Sequence, residues 1–435
     1  MHDLAVLNGS VWSGGEYRRT NLYVENGRFA ALTPDVYPAK KTLDAANRLV
    51  LPGFIDPHVH FALNVGKATS ADDFLSGSRA AAHGGVTTFI DFLDPVDNAS
   101  DLEKAFAKRK EEARYSAVDY KFHATLKNPA GHVEELVAKV EELGITSVKI
   151  FTTYSDSGRR TYDPEIRELL KWSDRKGFLL EVHAEADDLI VQDPFRSHRF
   201  LPQSRPVESE VAEALKLAGY VRELGGNLLM VHVSSGSALE QLRLRFPDVL
   251  NRRFHVESCP QYLLLDEGKL AGNQGFLYTC APPLRSPDER DLLASLWDKI
   301  EVIGTDHCPF RSAEKDKRFL AEIPLGISGV EHAFSLLYRR FGDSVLPKMT
   351  TNPSLLHRLS DRKGKIEAGY DADFVVFRPD PFAKIEGNHS RCDYDPWTGE
   401  ESGGKIEATV SRGKLVVQNG RFVQGDGHFL GGCRP

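Results

Sequence analysis

Two histidines two positions apart, His58 and His60 in "GFIDPHVHF", are the first residues of this chain whose types and spacing suggest chemistry. In an extended strand, residues i and i+2 point to the same face. Both imidazoles then aim together, and each neutral ring offers a lone pair to a metal ion. One such pair decides little, but the chain carries more: His183 in "LLEVHAE", His232 in "LLMVHVSS" and Asp306 in "EVIGTDHCPF", each closing a different apolar run. The sixth residue is Lys149, set in "GITSVKIFTTY" among Ile145, Val148, Ile150 and Phe151. A buried ammonium there is costly unless it is paired or neutralised.

Each residue has a bland alternative: a satisfied core histidine, a structural aspartate, a lysine in an ion pair or snorkelling from a strand end. Six of them at strand ends fit that alternative poorly. Four histidines and one aspartate supply five ligand groups. Two divalent ions about 3.5–4 Å apart need a bridging anion between them, and an ammonium has no lone pair to give. Reaction of the Lys149 amine with CO2 yields an N6-carboxylated lysine, a carbamate that can place one oxygen on each ion.

The elements that must position these groups alternate along the chain. Strand candidates are "RLVLPGFIDPHVHF", "VTTFIDF", "YKFHATL", "SVKIF", "FLLEVHAE", "NLLMVHVSS", "RFHVESC" and "KIEVIGTDH". Amphipathic helical patterns separate them, including "SADDFLSGSRAAAH", "HVEELVAKVEEL" and "ESEVAEALKLAGYVREL". Strands followed by helices across roughly three hundred residues predict a (β/α)8 barrel, whose active sites are assembled at the C-terminal ends of its strands. A doubly wound open sheet is the alternative, and it lacks a GxGxxG after the first strand. Both chain ends read as β. "VLNGSVW", "VENGRFAAL" and "GKLVVQNGRFV" each carry Asn-Gly, which predicts hairpins. Residues 1–50 and 356–435 are therefore expected to meet in one small sheet domain with a tail, around a catalytic barrel at 51–355.

The net charge of −7 over 435 residues gives no reason to expect a nucleic-acid partner. No signal peptide or membrane-spanning run is visible, and five scattered cysteines form no CxxC pair. These features predict a cytoplasmic protein without a disulfide framework.

"PGFIDPHVHF", "SVKIFTTY", "EVHAE", "VHVSS" and "GTDHCPF" resemble, in order and spacing, the metal motifs of the amidohydrolase superfamily, specifically its cyclic amidases. "TSADDFLSGSRAAAHGGVTT", "ESCPQYLLLDE", "CAPPLR" and "NHSRCDYDPWTG" are similar to its dihydropyrimidinase–hydantoinase branch, with allantoinase and dihydroorotase as relatives. The resemblance implies an α/β fold: a metal-dependent TIM barrel plus a β-sandwich built from both chain ends, assembled as a homotetramer. It implies two divalent ions, Zn2+ by usage, with Mn2+ or Co2+ as alternatives that suit the same ligands. His58, His60, carboxylated Lys149 and Asp306 would hold the more buried ion. Lys149, His183 and His232 would hold the more exposed one. The implied activity is hydrolysis of a cyclic amide C–N bond in a hydantoin or dihydropyrimidine ring. Asp306 would serve as base and then acid, and the Tyr154 hydroxyl would hold the developing oxyanion.

Four positions bear on the substrate. Dihydroorotase-like members place an arginine where this chain has Ala62. Hydantoinases often have serine at the position of Ala281 and asparagine at that of Leu325. With Phe61, Ala281 and Leu325 are expected to give apolar substrate contacts. Another cyclic ureide such as allantoin is the alternative substrate. A non-enzymatic scaffold is a third option, which the complete ligand set argues against. His307, His255 and Cys308 read as structural, and His83, His123 and His132 stay unassigned.

Overall fold

The computed structural model describes residues 1–431. In chain order the strands are β1 (His2–Leu7), β2 (Ser10–Ser13), β3 (Glu16–Arg19), β4 (Asn21–Glu25), β5 (Arg28–Thr33), β6 (Ala39–Asp44), β7 (Leu49–Pro52), β8 (Phe54–Val59), β9 (Val86–Phe92), β10 (Asp119–Thr125), β11 (Ser147–Phe151), β12 (Leu179–His183), β13 (Asn227–Met230), β14 (Phe254–Ser258), β15 (Val302–Ile303), β16 (Phe374–Pro379), β17 (Gly404–Ser411), β18 (Lys414–Gln418) and β19 (Arg421–Phe422).

Strands β8 to β15 run parallel in sequence order and form a nearly closed barrel of eight strands. The seam between first and last is narrow. β15 has two residues, and closure rests on a bridge between Val59 and His307, with the His60 N–H donating to the His307 carbonyl at 2.9 Å. Helices cover the barrel outside, among them Phe74–His83, Val133–Glu142, Asp163–Lys176 and Val207–Leu224. A helix at Gly236–Arg245, absent from the sequence expectations, follows β13 and is capped by the Ser235 hydroxyl on the Ala238 N–H.

The remaining strands form two mixed sheets. The order β5-β4-β1-β6 uses the N-terminal segment alone, while β19-β18-β17-β16-β7-β2-β3 joins both ends of the chain. Leu22, Val24 and Phe29 of the first sheet share one apolar cluster with Val50, Phe374 and Val410 of the second. The expected strand "RLVLPGFIDPHVHF" is split at Gly53, whose neighbours leave no room for a side chain. An added Cβ would sit 2.3 Å from Thr87 Oγ1. β7 therefore belongs to the seven-stranded sheet and β8 to the barrel.

Two of the three predicted Asn-Gly hairpins form, β4–β5 and β18–β19. The third does not. β1 pairs with β4 and β6, and β2 pairs with β3 and β7, so Asn8 (φ 66°) turns the chain from one sheet into the other. Asn-Gly specifies a tight turn, but the partners of the flanking strands are set by which apolar faces must be buried.

The two units are joined by a buried ion network. Lys363 Nζ lies 2.6 Å from Asp119 Oδ2 at the start of β10, 2.6 Å from Asp373 Oδ2 and 3.1 Å from Asp371. Arg412 Nε adds a 3.1 Å contact to Asp119. Cys259, Cys280, Cys308 and Cys392 are buried free thiols, and Cys433 lies outside the described residues. No helix among the described residues is long and apolar enough to cross a membrane.

Candidate active site

His58 sits inside β8 and His60 just past its end, Lys149 lies inside β11, and His183 is the last residue of β12. His232 and Asp306 were expected at the C-terminal ends of strands, but the strands stop earlier, at Met230 and Ile303. The reason is local. His232 (φ 42°) and Asp306 (φ 50°) adopt left-handed backbone, which no strand accommodates. Tyr154 (φ 68°) does the same after β11. Such conformations cost about 1–3 kcal/mol each in non-glycine residues and gather where function demands them.

The six candidate ligand residues converge at one end of the barrel. Asp306 Oδ1 lies 3.1 Å from His60 Nε2 and 3.4 Å from His58 Nε2. The His183 and His232 rings are 4.5 Å apart, and His232 is 5.4 Å from His58. Phe92, which the sequence did not single out, floors this space. It lies 4.7 Å from both His58 and His60 and 5.2 Å beneath Lys149 Nζ. Lys149, His58, His183 and His232 are buried, while His60 and Asp306 are partly open.

The donor set suits divalent cations. Burial, and then the charge of Lys149, push the His58 imidazole well below its usual pKa; burial and His183 do the same to His232. Both rings are thus neutral and carry a lone pair. Among the described residues, His58 Nε2, His60 Nδ1 and His232 Nδ1 are buried without a hydrogen-bond partner. Two of the rings are held by carboxylates. His58 Nδ1 meets Glu257 Oε1 at 2.8 Å, and His183 Nε2 meets Glu185 Oε2 at 2.6 Å. Carboxylates behind histidines fix ring orientation and raise ligand basicity. Burial also pushes the Lys149 ammonium down to about 8 against the pull of Glu181, Glu257 and Asp306. The neutral amine, the form that reacts with CO2, is accordingly accessible.

Further supports were invisible in the sequence, because their partners lie far along the chain. Asp56 accepts from the His58 N–H (3.1 Å), the Thr305 N–H (3.1 Å) and the Thr305 hydroxyl (2.6 Å), bracing the backbone beside both His58 and Asp306. Arg205 reaches Glu185 Oε2 at 2.5 Å and stacks 4.9 Å over the Tyr154 ring. Burial would raise Glu185, but Arg205 and the His183 hydrogen bond hold its carboxyl well below the usual range. Tyr154 lies 5.2 Å from His183, and burial pushes its hydroxyl up to about 12, so it remains a donor.

Phe61, expected as an apolar substrate contact, faces away from the barrel interior. It is fully buried, packed edge-on against Phe74 and Phe89 and against Gly77 of the helix Phe74–His83. Alternation along the strand puts His58 and His60 inward and Phe61 outward. Ala281 and Leu325 are partly exposed. Their segments are tied together, since Gly326 N–H donates to the Thr279 carbonyl at 2.9 Å and the buried Lys315 bonds both the Thr279 and Gly326 carbonyls. His307 is structural: its Nε2 lies 3.1 Å from Asp72 and its Nδ1 accepts the Gly329 and Val330 N–H groups. His255 pairs with Glu301 at 2.7 Å.

The Amidohydrolase family model matches residues 49–199 and 201–416. The chain belongs to the amidohydrolase family. Within the family it is 32% identical to a D-phenylhydantoinase of Escherichia coli O127:H6, over 98% of this chain and 97% of that one. Its fold superposes on a dihydropyrimidinase from Brevibacillus agri NCHU1002 with a TM-score of 0.92 at 29% identity, covering all of both chains. A D-hydantoinase (dihydropyrimidinase) from Thermus sp. gives 0.90 at 28% identity over 98% of each chain.

Proposed function

We propose that this protein opens the ring of hydantoins or dihydropyrimidines by hydrolysing a cyclic amide C–N bond. It is a cyclic amidohydrolase of the hydantoinase–dihydropyrimidinase type. The observation that carries this is the convergence of His58, His60 and Asp306 with His183, His232 and Lys149 at one barrel end, in a chain related to hydantoinases over its whole length. His58, His60 and Asp306 would hold one divalent ion and His183 and His232 a second, Zn2+ being the first choice for this nitrogen–oxygen set. Lys149 would bridge them after its amine attacks CO2: the new N–C bond gives a carbamate anion and one proton leaves to solvent. When bound, the ions would supply an acidified attacking water and polarise the ring carbonyl.

The chain's own residues do the rest. Asp306, beside both histidines of the first strand, accepts the proton of the attacking water and returns it to the leaving ring nitrogen. Tyr154 donates its hydroxyl hydrogen to the carbonyl oxygen as negative charge develops there. Arg205, stacked on Tyr154, and Glu185, bonded to His183, keep both rings in place.

The substrate class follows from side chains that are missing. A ring carboxylate buried without a cation is penalised, and a bidentate arginine is its efficient partner. Ala62 stands where dihydroorotase-like members place that arginine, and Ala281 and Leu325 add no charge. Uncharged rings are preferred, such as dihydrouracil or hydantoins with an apolar 5-substituent. Competition kinetics among dihydroorotate, allantoin, dihydrouracil and 5-phenylhydantoin test this on metal-reconstituted protein. The expected disadvantage of dihydroorotate in kcat/KM is at least about 100-fold, the roughly 3 kcal/mol of a lost charge-assisted hydrogen bond. A protein that binds no metal and opens none of these rings would overturn the assignment.

A further inference from the structure

A second group of metal-ligand residues lies outside the catalytic set. His83 ends the helix Phe74–His83, Glu331 precedes the helix Ala333–Phe341, and His389 comes from the segment between β16 and β17. The three meet although nothing in sequence joins them. The His83 and His389 rings stack with centroids 3.4 Å apart and planes 7° apart. Glu331 Oε1 is 2.7 Å from His389 Nδ1, and Glu331 Oε2 accepts the His389 N–H at 2.7 Å. One ligand atom from each residue lies within 4.8 Å of the other two. His389 is 46% exposed and Glu331 11%, so the group is anchored on one side and open to water on the other.

We propose that His83, Glu331 and His389 form a divalent transition-metal site of the zinc class, separate from the catalytic centre, with water in the fourth position. The three donor atoms already lie within 4.8 Å of one another, and turning the half-exposed His389 ring out of its parallel stack on His83 would let both lone pairs converge on one ion. Burial, and then the facing His389, push the His83 imidazole down to about 4, which keeps its lone pair free at neutral pH. The Glu331 hydrogen bond instead favours a proton on His389, and a cation between the two would take that proton's place. Two imidazoles and one carboxylate select zinc-like ions over magnesium or calcium, which prefer all-oxygen shells.

A bound ion would clip the segment carrying His389 to the barrel. That segment is already held nearby. Ser390 and the Arg391 N–H bond Asp72, and Trp397 Nε1 donates to the Ser328 carbonyl at 2.8 Å.

Metal-reconstituted protein, dialysed to constant metal content, is titrated with Zn2+ alone by calorimetry with elemental analysis. Wild type should take up one further ion per chain. His83→Ala and His389→Ala should each weaken that step at least 100-fold, since loss of even an outer-shell partner costs about 10–100-fold. His389→Cys, which restores a ligand, should keep the step, and ring hydrolysis should be unchanged in all three. Should the alanine variants fold poorly, the near-isosteric Glu331→Gln answers the same question: weakened uptake supports the site and undiminished uptake overturns it. No further ion in wild type, or equal uptake in wild type and variants, also overturns it.

Discussion

At the scale of single residues, the proposed carboxylation of Lys149 would decide whether the candidate ligand set can hold two ions. Lys149 is buried, and the cost of that burial outweighs the pull of Glu181, Glu257 and Asp306, so a permanent ammonium there is disfavoured. Lys149→Ala is expected to lose the metal pair and ring-opening activity together. A short carboxylic acid such as propionate in the assay should restore part of both, because its two oxygens can bridge as the carbamate does. A fully active, two-metal protein with an unmodified Lys149 amine would rule the bridge out. Asp306→Asn separates ligation from proton transfer: the amide keeps one ligand oxygen and cannot shuttle a proton. Metal content should be largely retained while kcat falls at least about 100-fold, the scale of general acid–base catalysis. Near-normal turnover would assign the proton to another group.

At the scale of elements, the site depends on how strand ends are braced. Asp56 accepts three hydrogen bonds from residues up to 249 positions away, and each donor left without it costs about 1–3 kcal/mol. Asp56→Ala should therefore lower stability and loosen Asp306. The measurable result is weaker retention of metal on dialysis and a lower kcat, with KM less affected. The strands themselves were legible, because apolar runs such as "VTTFIDF" and "SVKIF" are continuous, as buried parallel strands are. The HxH pair was legible from its two-residue period. Glu257 and the Asp56–Thr305 bonds were not, since partners 199 and 249 positions apart leave no periodic trace, whereas Glu185 stands two positions from the His183 it orients and the same two-residue period could have found it. The early strand ends at His232 and Asp306 were hidden for a related reason, because left-handed backbone in a non-glycine residue is imposed by tertiary packing. Phe61 was singled out by adjacency alone, although the alternation that paired His58 with His60 already turns it outward.

At the scale of the molecule, one lysine joins the sandwich to the barrel. Lys363 is buried among Asp119, Asp371 and Asp373, and burial favours neutrality less than these three carboxylates favour its charge. Removing one partner of such a network leaves uncompensated buried charge, at about 3–5 kcal/mol. Lys363→Ala should lower the unfolding midpoint in denaturant accordingly, and an unchanged midpoint would show that this lysine does not hold the two units together. The seam of the barrel adds a constraint of timing. A ribosome delivers His58 and His60 long before Asp306 and His307, and β7 long before its neighbour β16. A nascent chain that ends before Asp306 therefore carries five of the six candidate ligand residues with no way to complete the set. Barrel closure and assembly of the ligand set await Asp306 and His307, and sheet completion awaits β16 and β17, so a product truncated before Asp306 lacks both the closed fold and the assembled site.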